Sequence, residues 1–109
     1  MTYPTFRYNG TVAIQSFGNR GTEDINYGRR TKISMRTLPG ALHEKGRVKL
    51  ARLHAADSLN DLASLPGNRL EKLVGDRAGQ YSIRINEQFR ICFYWTDDGA
   101  TNVEITDYH

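Results

Sequence analysis

The chain of 109 residues contains a single cysteine, Cys92, so it cannot close a disulfide on itself. That makes a reducing cytoplasm the expected compartment. Long apolar runs are missing too: the longest, Ile91–Trp95, falls far short of the ~20 residues a membrane-spanning helix needs. The opening stretch MTYPTFRYNG is polar and lacks an apolar h-region, so no secretory signal and no membrane partner are expected. Glycines do not gather into a phosphate loop, because Gly75 and Gly79 frame a turn. His43 and His54 stand eleven apart with no further ligand at metal spacing, so neither a metal nor a cofactor is expected. No repeat, low-complexity tract or dividing linker appears.

What is present suits one compact domain, with 39% apolar and 25% charged residues. Residues 1–11 read as a poorly ordered extension and 12–109 as the single domain. The net charge of +3 conceals a split: residues 1–56 hold ten Lys/Arg against three Asp/Glu, and residues 57–109 hold five against nine. A cationic half suits a polyanion or an acidic protein partner, and equally a solvated surface.

The pattern of VAIQSF (12–17) predicts a first strand. TEDINYGRR carries acids first and arginines last, as a short helix prefers, although Gly28 weakens it. A longer helix is predicted over 40–57, where Leu42, Gly46, Lys49, Leu50 and Leu53 form a stripe widened by Val48 and Ala51. Gly46 should cost this helix about 1 kcal/mol relative to alanine. Ser58 and Asp61 resemble a capping box for a brief turn. Beyond it the period becomes two, predicting strands at 69–74, 80–86, 89–96 and 102–108 with short antiparallel connections. The expected architecture is α+β: an N-terminal strand and two helices packed on one face of a mostly antiparallel five-stranded sheet.

Alternation divides that sheet. Tyr81, Ile83, Ile85, Phe89, Ile91, Phe93, Trp95, Val103 and Ile105 take the helix side. Ser82, Arg84, Arg90, Cys92, Tyr94, Thr106 and Tyr108 take the other, expected to be open. Guanidinium groups fork onto phosphates and phenols stack on bases, a mixture suited to single-stranded RNA. An exposed antiparallel face also accepts Arg and Tyr with no ligand, so the face alone leaves both readings open. The terminus DYH, Asp107 to His109, adds acid–base groups. RNA is cut without metal when its own 2′-OH attacks the adjacent phosphate, which needs a proton acceptor, a cation and a proton donor. Glu71 or Asp107 are candidate acceptors, Arg84 and Arg90 candidate cations, and His109 the candidate donor.

The elements GDRAGQYSIRIN, FRICF and the terminal DYH closely resemble HigB-type toxins of plasmid-maintenance systems, within the RelE/ParE superfamily. IQSF and KLARLHAADSLNDL extend the likeness over about residues 12–109. The resemblance implies a RelE-like fold, a HigA-type antitoxin partner, and ribosome-dependent cleavage of messenger RNA in the decoding site. Operator DNA would be met only through the antitoxin. Carried onto this sequence, the likeness implies catalytic roles for Glu71, Arg90, Asp107, Tyr108 and His109. Lys72, Arg77, Arg84 and Tyr94 are the accompanying RNA-binding candidates. Val74 departs from the family, since many relatives carry a lysine there; Lys72 is the nearest substitute. Two alternatives stay open: a non-catalytic, ParE-like gyrase inhibitor, and a degenerate member that only binds its antitoxin as co-repressor.

Overall fold

The computed structural model describes residues 12–107, and the expectations for residues 1–11, Tyr108 and His109 lie outside them. Strands β1 (Glu71–Lys72), β2 (Tyr81–Arg84), β3 (Phe89–Thr96) and β4 (Gly99–Asp107) form one sheet in that order. Every pairing is antiparallel, as the short connections dictate. Helices α1 (Arg20–Asn26), α2 (Lys32–Thr37), α3 (His43–Ala55) and α4 (Leu59–Ala63) precede it.

The sheet has four strands, not five. Residues 12–17 do run beside β4, with Ala13 N donating to Asp98 O and Gln15 N to Ala100 O. The ladder then skips to Val103, which exchanges bonds with Ser16 O and Gly18 N. Only the parallel bridge Phe17–Val103 results. The cause is a bulge: β4 pairs Glu104 with Cys92 but Thr101 with Tyr94, and Asn102 turns left-handed with φ 51°. An extra residue there breaks the even spacing that a parallel ladder requires.

Four helices occur among the described residues, where two were expected. Asn19 caps α1 by accepting from Thr22 N, and Gly28, with φ 74°, follows its end. Sequence reasoning missed α2, whose start is a reciprocal box between Thr31 and Ser34. The predicted 40–57 helix resolves into a 3-10 turn, Gly40–Leu42, and α3. Its buried stripe is His43, Gly46, Lys49, Leu50 and Leu53; Val48 and Ala51 are exposed, contrary to expectation.

The helix-side face of the sheet follows the alternation. Ile83, Ile91, Phe93 and Val103 are fully buried, joining Ile25 of α1 and Leu50 and Leu53 of α3 in one core. Burial of each such side chain contributes about 1.5–3 kcal/mol. The opposite face is not open, however. Ser82 and Cys92 are buried, as is Arg90. Leu73 is also buried but lies outside the main core, whereas Leu70 packs against it. Apolar burial on both sides explains the opposite parity of those two leucines.

Candidate active site

The strand register brings Glu71, Ser82, Arg84, Arg90 and Cys92 onto one face. Glu71 lies opposite Ser82, Ser82 opposite Cys92, and Arg84 opposite Arg90. Arg90 is 7% exposed, and its guanidinium is held from several sides. Its Nε donates to Ser82 Oγ at 2.7 Å and its Nη2 to the Arg69 carbonyl at 2.7 Å. Glu71 Oε1 stands 3.7 Å from the same Nη2, while the carboxylate side chain remains 55% exposed. A buried cation thus meets a half-exposed carboxylate at one point of the surface.

Arg69 makes this possible through its backbone. It adopts the left-handed conformation, φ 44° and ψ 57°, immediately after the turn Pro66–Asn68. For a non-glycine residue that conformation is uncommon and costs about 1–2 kcal/mol. Asn68, fully buried, secures the turn by donating from Nδ2 to Leu62 O and accepting from Lys49 Nζ at 2.9 Å. Sequence reasoning found Arg90 but missed Ser82 as its acceptor and the Arg69 carbonyl. The breaker LPGN (65–68) and a lysine on the buried stripe of α3 were the signals pointing toward this turn.

The other candidates are distributed unevenly. Arg84 is the cross-strand neighbour of Arg90, half-buried. Like charges directly opposite repel, and the acceptors around Arg90 offset that repulsion. Arg77 lies further along the same face, bonded to Gln80 Oε1 at 3.1 Å and 3.6 Å from Glu104 Oε2. Glu104 is opposite Cys92, so the Arg77–Glu104 contact lies on the same face as that cysteine. Tyr94 is partly exposed, and its ring lies beside Gly79, where a Cβ would be 3.5 Å away.

Lys72 and Asp107 are not brought into this group. Alternation sends Lys72, opposite Tyr81, to the side away from Glu71, although both border a cleft of about 300 Å³ at the edge of β1. Val74 also lines that cleft and is 83% exposed, an apolar side chain where a cation would face solvent. Asp107 pairs with Phe89 on the helix side and accepts from Gln88 Nε2 at 3.0 Å. His43 and His54 have structural partners. The former bonds the Leu38 carbonyl at 2.7 Å, and the latter accepts from Ile14 N.

Comparison with known proteins gives this arrangement its context. Residues 27–109 match the family model described as RelE-like toxin of type II toxin-antitoxin system HigB. The chain belongs to the HigB-like toxin family. It is 42% identical over 67 residues to "Toxin HigB-1" of Vibrio cholerae, covering 62% of this chain and 70% of that relative. An uncharacterized protein of Haemophilus influenzae is 33% identical over 66 residues, which span 61% of this chain and 65% of that one. Among solved structures, a chain of the YoeB-YefM complex from Staphylococcus aureus superposes with a TM-score of 0.55 at 23% identity. It covers 90% of this chain and 97% of the other, and establishes the shared fold. This HigB-like toxin therefore carries its family fold with the Glu71–Arg90 pair on the sheet face away from the main core.

Proposed function

We propose that this HigB-like toxin is a ribosome-dependent endoribonuclease that cleaves messenger RNA through the 2′-OH of its own substrate. The observation carrying the reading is the contact between Glu71 and a clamped Arg90 on one sheet face. In the reaction, the Glu71 carboxylate accepts the 2′-OH proton as the 2′ oxygen bonds to phosphorus. Arg90 stabilises charge gathering on the phosphoryl oxygens. The bond from phosphorus to the 5′ oxygen breaks, and that oxygen takes its proton from His109, leaving a 2′,3′-cyclic phosphate and a 5′-OH. Because Ser82 and the Arg69 carbonyl fix the guanidinium beforehand, little reorganisation opposes charge stabilisation. Tyr108 orients or stacks on a base beside the scissile bond. Asp107, bonded to Gln88 on the other face, is assigned a supporting role at the terminus rather than proton transfer at Glu71.

The partners that go with this reading are the messenger in the ribosomal decoding site and a HigA-type antitoxin. The antitoxin assignment is supported by the family description and by the complex named for the structural neighbour. The decisive measurement is cleavage of ribosome-bound messenger by purified toxin. Glu71→Gln and His109→Gln should each slow the chemical step about 10²–10⁴-fold. Arg90→Lys should slow it by about 10²–10³-fold. Wild-type toxin that leaves ribosome-bound messenger intact while blocking DNA supercoiling would replace this reading with gyrase inhibition.

A further inference from the structure

Beside the candidate active site lies a larger concavity of about 800 Å³, between α3 and the β2–β3 turn. Its lining includes Lys45, Lys49, Arg69 and Arg84, against a single carboxylate, Glu87. The ion pairs among the described residues involve none of these four cations. Lys49 is 6% exposed, an unusual position for a lysine without an acidic partner. Asn68 takes one of its three donors, and Gly67 borders the ammonium, where a Cβ would make ordinary contact with Nζ at 3.5 Å. Arg69 links the two places: it lines the concavity and its carbonyl holds Arg90.

We propose that this concavity is a binding site for the phosphodiester backbone of single-stranded RNA, seating phosphates adjacent to the one at Arg90. The proposal rests on the nuclease reading for its placement of the RNA. Burial and repulsion from Arg52, Lys45 and Arg84 push the Lys49 ammonium below the usual lysine range. An anion in the concavity relieves that repulsion, so the cluster is a poor arrangement empty and a good one when filled. A phosphate chain suits it better than an acidic peptide. The lining offers two apolar residues, Pro66 and Ile85, and Ile85 is buried in the core, so a peptide's apolar side chains find little to bind.

The test is fluorescence anisotropy with a short labelled single-stranded RNA, 2′-O-methylated so that it cannot be cut. Lys45→Gln/Arg84→Gln is compared with the control pair Arg30→Gln/Arg36→Gln, exposed cations elsewhere with the same charge change. The concavity pair should lose at least about tenfold in affinity and flatten the salt dependence by roughly 0.7 per lost phosphate contact. Lys49→Gln, which keeps a donor for Asn68, should weaken binding in the same direction. A parallel titration of messenger-free ribosomes separates the sources. Loss on the oligonucleotide assigns messenger, and loss confined to the ribosome assigns ribosomal RNA; either supports the site. Equal losses in both pairs, retained affinity in both titrations, or a loss seen only toward the antitoxin would each overturn it. RNA held through the concavity yet never cut by wild-type toxin on the ribosome would sink the nuclease reading and leave this one standing.

Discussion

Arg90 and Arg69 show how one side chain and one carbonyl make a site together. The alternation of β2 and β3 is enough by itself to place Arg90 on the same face as Ser82 and Arg84, and the register then sets them side by side. It does not reveal that Arg90 is buried, because the groups that cover it come from elsewhere in the chain. Those groups are the left-handed Arg69 and the edge strand carrying Glu71. The backbone conformation of Arg69 leads to a stability prediction. Arg69→Gly removes a disfavoured conformation at φ 44° while adding flexibility to the unfolded chain. These effects nearly cancel, so urea denaturation should show a change within about 1 kcal/mol. A loss well above about 2 kcal/mol, more than the backbone effects can supply, would mean that the Arg69 side chain, rather than its carbonyl, supports the turn. RNA affinity should fall in the same variant, since one cation of the concavity is gone.

Helix α3 illustrates where periodicity succeeds and where it misleads. Its stripe identified Leu50 and Leu53 correctly, and it included Lys49, whose burial then makes sense beside Asn68. The same pattern offered Gly46 only as a weak point in the helix. In the folded chain a Cβ at Gly46 would lie 2.9 Å from Leu38 Cδ2, so glycine permits the close approach of α3 to that buried leucine. Gly46→Ala gains about 1 kcal/mol of helix propensity and meets an overpacking cost of about 1–3 kcal/mol. Thermal melting should therefore show a net loss, and a higher melting temperature would remove the packing argument. Helix α2 escaped notice because six residues are too few to set a period, although Thr31 and Ser34 carried its capping signal. Strand β1 was expected over six residues and pairs over two, because Leu70 and Leu73 are drawn into burial on opposite sides.

Across the molecule, one buried carboxylate among the described residues, Asp24, lies in the cationic N-terminal half. Asp24, 2% exposed, accepts from Thr31 Oγ1 at 2.7 Å and from Arg29 Nη1, with Arg20 nearby. The Thr31 hydroxyl foremost, then the Arg29 hydrogen bond and the two guanidinium charges, outweigh burial and hold its carboxyl below the ordinary aspartate range. A depressed folded value means stability that is fully present above the unfolded aspartate value of about 3.9 and is lost as pH falls through the folded one. Denaturation midpoints followed from neutral pH downward should drop below about pH 4. Asp24→Asn should be less stable at neutral pH and show a shallower acid dependence; an unchanged acid profile would deny Asp24 this role. By itself the sequence determined the α+β class, the antiparallel order, the helix-facing core and the family, because alternation, stripe spacing and short turns are local properties. The strand count, the burial of the second face, and the meeting of Glu71 with Arg90 were decided only in three dimensions. Each depends on residues far apart in the chain whose contacts no local pattern records: the bulge at Asn102, the turn ending at Arg69, and Arg77 reaching across to Glu104.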